Sequence, residues 1–130
     1  MRLYLDSVPV IYLVEQVTPF EAAVRAHVTA AGLVLVAGEL TRMECLVMPL
    51  RNNNQTLIAE FEDFFTNQVS ELVFPSRAVF DRAAGIRAQY QGIKTPDALH
   101  LAAAVESGCD VFLTNDQRLK NFAGITVEII

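Results

Sequence analysis

At 130 residues, with 52% hydrophobic and 19% charged side chains, the chain has the length and composition of one globular domain and is not disordered. No apolar run approaches the ~18 residues of a membrane span, and Asp6 interrupts the stretch where a signal peptide would be apolar. A formal net charge of −5 gives no general attraction to nucleic acid, so any polyanion must be met by local cations, from arginines or a bound metal.

Arg2 to Leu5 reads as a short strand ended by Asp6. Ser7 is placed to cap a helix from Val8 to about Glu15, with Pro9 in its first turn. Thr18-Pro19-Phe20-Glu21 reads as a capping box. Phe20, Ala23, Val24, His27, Val28 and Ala31 follow at helical spacing, and Gly32 ends that helix. Leu33 to Val36 is the unbroken apolar run of a strand buried on both faces. A helix then covers Glu39 to Met48, with Pro49 as its stop, and the next carries the stripe Leu57, Ile58, Phe61, Phe64 and Phe65. Glu71 to Phe74 is a strand, and Ser76 caps a helix with Val79, Ala83, Ile86 and Tyr90 inward. Thr95, as N-cap, with Pro96 and Asp97 opens the helix Ala98 to Glu106, closed by Gly108. Val111 to Leu113 is a buried strand, followed by Thr114-Asn115-Asp116 and a short helix, and Thr126 to Ile130 is the last strand.

Strands alternating with helices predict an α/β domain with a mostly parallel sheet of five strands, covered on both faces. Such sheets bind ligands beyond the carboxyl ends of their strands. Cys45 and Cys109 stand apart, with no CxxC and no His pair beside them. That argues against a disulfide scaffold and a zinc site, and fits a reducing cytoplasm.

Four carboxylates carry the chemistry. Asp6 and Asp116 both end strands, where each either caps the next helix or lines a site. Glu44 shares its helix face with Leu40, Thr41, Val47 and Met48, so it is half buried and needs a counter-charge: Arg42, Arg51 or a metal. Its charge also adds repulsion to an acidic pocket, so Glu44→Gln is expected to melt higher without metal. Asp97 lies in the first turn of its helix, either as a macrodipole partner or as a ligand, with His100 one turn on. His100 and His27 sit among apolar residues, where a satisfied structural histidine is the commoner arrangement. Clustered carboxylates repel unless cations neutralise them, and hard oxygen ligands suit Mg²⁺ or Mn²⁺.

These positions lie in recognisable surroundings: Leu5-Asp6-Ser7 with Ile11 to Glu15; Leu40 to Val47 with Pro49-Leu50-Arg51; Thr95-Pro96-Asp97-Ala98-Leu99-His100 with Leu101 to Ala104; and Phe112-Leu113-Thr114-Asn115-Asp116. In them the chain resembles the PIN-domain ribonucleases, in particular the VapC-like toxins of prokaryotic toxin–antitoxin pairs. The resemblance covers nearly the whole chain. It implies a three-layer α/β/α fold and an acidic pocket holding Mg²⁺ or Mn²⁺. It further implies endonucleolytic hydrolysis of RNA and inhibition by a cognate antitoxin protein.

On that resemblance Asp6, Glu44, Asp97 and Asp116 take the four acidic positions. Asp6 and Asp97 are the first-choice metal ligands, while Asp116 and Glu44 complete the site or act as base. Thr114 and Asn115 match the polar lead-in to the fourth acid, and Ser7 a hydroxyl position beside the first. Arg42, Arg51, Arg87, Lys94 and Arg118 are the candidates for RNA phosphate contact. Val8 departs from the pattern, since many relatives carry a polar residue there, and its apolar side chain can loosen metal binding. The Phe-rich stripe from Leu57 to Phe65 is expected to be partly exposed, for an antitoxin helix or a second copy of the chain.

Other acidic-pocket domains do not fit. A receiver domain needs two adjacent acids after its first strand, and a haloacid-dehalogenase-type phosphatase needs Asp-x-Asp, where this chain has Asp6-Ser7-Val8. No phosphate-binding glycine motif is present. The alternative that stays open is a PIN-fold module that grips RNA or protein with weak or no catalysis.

Overall fold

The computed structural model describes residues 1–130. Strands β1 (Arg2–Leu5), β2 (Val34–Gly38), β3 (Glu71–Val73), β4 (Val111–Thr114) and β5 (Thr126–Ile129) form one sheet in the order β3-β2-β1-β4-β5. Every neighbouring pair is parallel. Parallel strands need crossovers, and helices fill most of them. These are α1 (Ser7–Val14), α2 (Phe20–Val28), α3 (Glu39–Arg51), α4 (Gln55–Asn67), α5 (Arg77–Gln89) and α6 (Thr95–Glu106). A single 3₁₀ turn, Gln117–Leu119, follows β4.

Side chains alternate across each strand, and both faces are buried. Leu3, Leu5, Leu35 and Leu113 face one core, with Val10 of α1, Val24 of α2 and Phe61 of α4. Tyr4, Val36 and Phe112 face the other, with Val79 of α5 and Leu101 of α6. This double burial is why the central strands read as unbroken apolar runs. The expected three-layer α/β/α architecture is the observed one.

Several local expectations change. Asp6, not Ser7, caps α1. Thr18 forms no capping box: Pro19 is the N-cap of α2 without a side-chain bond, and Glu21 pairs with Arg25 one turn on. That helix stops at Val28, where the Thr29 hydroxyl donates to the Arg25 carbonyl at 2.8 Å. Pro49 does not stop α3, which runs on to Arg51. A proline in the last turn removes one N–H, while the Met48 and Pro49 carbonyls still accept from Asn52 and Asn54. Lys94, not Thr95, is the N-cap of α6. Most of the α4 stripe is core: Phe61, Phe64 and Phe65 are buried, and only Leu57 and Ile58, half-buried, reach the surface. Exposed apolar side chains lie instead on α3 (Met43, Val47, Met48) and at Phe74 and Phe80.

From central β1 the chain winds outward through β2 and β3, then returns to the other side of β1 with β4 and β5. The switch point, and with it the natural crevice, lies at the carboxyl ends of β1 and β4.

Candidate active site

Asp6 ends β1 at that crevice and is 7% exposed. One carboxylate oxygen accepts from the Ser7 amide at 2.8 Å. The other accepts from the Thr114 hydroxyl of β4 at 2.7 Å. Thr114 Oγ1 also accepts from the Asp116 amide at 3.1 Å, and Asp116 in turn accepts from the Arg118 amide at 2.9 Å. Asp6 and Asp116 are therefore helix caps and site residues at once: the cap geometry is what aims them at the strand ends.

Glu44 reaches the crevice from α3. Its partner is neither Arg42 nor Arg51 but His100 of α6, whose Nε2 lies 2.6 Å from Glu44 Oε1 and 3.5 Å from Asp6 Oδ1. His100 is fully buried, and its Nδ1 lies 3.0 Å from the Tyr4 hydroxyl. That hydroxyl is 3.4 Å from Thr41 Oγ1, which accepts from the Gly38 amide and donates to the Leu5 carbonyl at 3.2 Å. Because the Thr41 proton is committed, the Tyr4 proton can turn either way. It goes to Nδ1 when His100 is neutral, and to Thr41 when Nδ1 itself donates.

This line of bonds sets the charges. Burial disfavours the His100 cation, but the hydrogen bond to Glu44 and the charges of Asp6, Glu44 and Asp97 outweigh it, leaving the pKa raised. Burial also pushes Glu44 up, yet the His100 hydrogen bond and charge, with help from Ser7, hold it below its ordinary value. Both shifts favour the charged forms, so the two groups form an ion pair whenever His100 is protonated.

Asp97 sits in the first turn of α6, half-buried. Its carboxylate accepts no hydrogen bond, and the Arg118 guanidinium comes only to 3.9 Å. Burial, then the charges of Asp6 and Asp116, raise its pKa against the pull of Arg118 and His100. Asp116 moves the other way, held low chiefly by the hydrogen-bonded Arg118 guanidinium.

A half-buried carboxylate among like charges, without a donor, fits a cation. The ligand atoms of Asp6, Glu44 and His100 lie within 4.8 Å of one another. His100 Nε2 is already engaged by Glu44 Oε1, so the donors open to a metal are carboxylate oxygens of the four acids, with those of Asp116 shared with Arg118. That donor set fits Mg²⁺ or Mn²⁺.

The remaining sequence candidates scatter. Asn115 donates to the Tyr12 hydroxyl at 3.4 Å, and Val8 is half-buried in α1. Arg42 pairs with Glu62 on α4. Arg87 bonds the Ile93 carbonyl and Thr95 Oγ1, which fixes the entry to α6. Arg51 approaches only the Met48 sulfur, at 3.6 Å. Lys94 caps α6 and adds to the field that lowers Asp116. Arg118 alone of the five pairs with the four acids.

Sequence reasoning paired His100 with Asp97, whereas the fold pairs it with Glu44, and it gave Tyr4 and Thr41 no role. The signal for those two was their hydroxyls on otherwise apolar, inward-facing positions.

The fold has counterparts. No curated protein matches the chain. Among solved structures it is similar to the VapBC2 complex from Rickettsia felis bound to a DNA fragment from its promoter, with a TM-score of 0.78 and 13% identity, over 99% of this chain and 98% of that one. A toxin–antitoxin complex from Klebsiella pneumoniae gives a TM-score of 0.75 and 18% identity, over 98% and 99% of the two chains. VapC20 from Mycobacterium tuberculosis, described as a Sarcin-Ricin loop cleaving toxin, gives 0.70 and 10% identity, over 85% and 86%. At these identities the likeness is one of fold. The family model for the PIN domain matches residues 3–125, a span that takes in all four acids. The chain belongs to the PIN domain family.

Proposed function

We propose that this protein is a metal-dependent endoribonuclease acting as the toxin of a toxin–antitoxin pair. The observation that carries the proposal is the Asp97 carboxylate, half-buried without a hydrogen bond, in the field of Asp6 and Asp116. Family membership and likeness to toxin–antitoxin complexes support the biological role.

Asp6, Asp97 and Asp116 would hold Mg²⁺ or Mn²⁺, which when bound activates water and neutralises charge on the scissile phosphate. Thr114 and the Ser7 amide fix the Asp6 carboxylate, so it needs little reorganisation on binding. Glu44, held below its ordinary pKa by His100, would accept a proton from the attacking water.

The antitoxin reading has a surface as well. A groove between α1, α2 and α4, floored by Leu13, Val28 and Leu57, is rimmed by Glu15, Glu60 and Asp63. It suits an amphipathic segment with basic residues on its flanks. A cytoplasmic site of action follows from the RNA substrate, and no helix is long and apolar enough to cross a membrane.

The deciding experiment is cleavage of an RNA pool by purified protein with Mg²⁺, Mn²⁺ or EDTA. Internal cleavage that needs the metal and disappears in Asp97→Asn is the expected result. Undiminished cleavage in EDTA would sink the metal mechanism. RNA binding without cleavage under any metal would favour the binding-module alternative.

A further inference from the structure

The guanidinium of Arg118 occupies the acidic pocket in an unusual way. It grips Asp116 at both oxygens, with Nε at 3.0 and 3.2 Å and Nη2 at 2.6 Å, and the same Nη2 stands 3.9 Å from Asp97. It is a cation set against two of the carboxylates assigned above to the metal. The other cation in the pocket, His100, serves Glu44 and Asp6 on the far side.

The attachment of Arg118 is built for release. It lies on the three-residue 3₁₀ turn, and its side chain is 58% exposed. Little packing is lost if it swings outward, and an exposed ion pair contributes little in water. A divalent cation entering between Asp97 and Asp116 competes with the guanidinium for the Asp116 oxygens and repels it. Once displaced, the planar fork would stand at the rim of the metal site, free to take a phosphate in two-point contact.

From this arrangement we infer that Arg118 is a placeholder cation. It neutralises Asp97 and Asp116 in the metal-free protein, is expelled when a divalent ion enters, and then helps to hold the RNA backbone. The inference rests on the metal-dependent reading above and adds to it a competition within the chain. It makes Arg118 oppose metal loading and favour RNA binding, two effects of opposite sign.

The test measures Mn²⁺ binding by calorimetry, without RNA, for wild type, Arg118→Gln, Arg118→Lys and a control at another exposed ion pair, Arg82→Gln. Arg118→Gln should bind Mn²⁺ several-fold more tightly. Arg118→Lys, which keeps the charge but loses the fork, should fall between it and wild type, and Arg82→Gln should match wild type. In cleavage of a short RNA at saturating Mn²⁺, Arg118→Gln should raise KM more than it lowers kcat. Unchanged or weaker Mn²⁺ binding by Arg118→Gln, at an unchanged melting temperature, overturns the placeholder role while leaving the nuclease reading intact. An equal gain in Arg82→Gln reduces the effect to net charge and overturns it too. Wild type that binds no Mn²⁺ at all removes the metal-dependent reading, and this inference with it.

Discussion

His100 Nε2 lies 2.6 Å from Glu44 Oε1, so Glu44 has a buried partner of its own on α6. This reverses the sequence expectation for Glu44→Gln. Without a partner, Glu44 would only add repulsion; with His100 it is half of a pair. Removing one member leaves the other charge buried and uncompensated. A glutamine oxygen can still accept from Nε2, and Glu44 is partly exposed, so the loss is about 1 kcal/mol. The melting temperature of metal-free Glu44→Gln should fall by a few degrees, read by calorimetry in EDTA.

The pair also fixes a pH dependence. His100 has a folded pKa above its ordinary 6.5, so its contribution to stability is complete below that value and fades as pH rises through the folded one. Glu44 has a folded pKa below its ordinary 4.5, so its contribution is complete above that value and fades as pH falls through the folded one. Metal-free protein should therefore gain most from the pair between about pH 4.5 and 6.5 and lose that gain on the alkaline side. The alkaline loss should be absent in His100→Asn, in melting curves taken across pH.

Asp97 has the opposite energetics. An acid with a raised pKa destabilises the fold once ionised. Asp97→Asn keeps the shape and removes the charge. Metal-free Asp97→Asn should melt above wild type by a few degrees, gain little from Mn²⁺ and cleave no RNA. A variant that melts lower would mean that the carboxylate has a donor.

Gly38 is required by a close approach and not by its backbone angles. A Cβ there would lie 2.5 Å from the Tyr4 hydroxyl. Tyr4 cannot retreat, because it is fully buried, stacked on Phe112 and bonded to His100. Gly38→Ala should cost ~1–3 kcal/mol by overpacking. It should also lower kcat by disturbing the line through Tyr4 and His100 to Glu44. Tyr4→Phe in the Gly38→Ala background, which removes the clashing oxygen, should recover part of the stability but not the activity.

Self-association is expected through Met43 and Phe80. Both are exposed, and both line an apolar cleft of about 370 Å³ with Leu40, Val73 and Leu99. Light scattering at micromolar concentration should give a dimer mass, and Phe80→Ser should shift it toward the monomer. A wild-type monomer would remove the dimer proposal.

The layered fold was legible because periodicity is a local property. Leu33 to Val36 reads as a doubly buried strand, which the fold places at Val34–Gly38, and Phe61, Phe64 and Phe65 share one helix face whatever surrounds them. The four acids were legible for a similar reason: Asp6, Asp97 and Asp116 sit beside element boundaries that the sequence marks, and Glu44 is a lone carboxylate on an apolar helix face. What the sequence did not contain was the pairing across elements. Glu44 and His100 are 56 positions apart, and nothing local distinguishes His100 from Arg42 or Arg51 as the partner. The caps failed for a smaller reason. Ser7, Thr18 and Thr95 are all competent caps, but Asp6, Pro19 and Lys94 hold the backbone position.

The two sides of the crevice should differ in tempo. The Asp6 amide donates to the Leu113 carbonyl at 3.0 Å, inside the β1–β4 seam at the centre of the sheet. Its deuterium exchange should wait for global unfolding. The Arg118 amide is held only by the Asp116 side chain, on a turn open to solvent, and should exchange in seconds to minutes. A cation entering the pocket would thus meet one wall that is rigid on every timescale below unfolding and one that opens continually. In the proposed metal site the slow wall would set where an ion binds, and the fast wall how quickly it arrives and leaves.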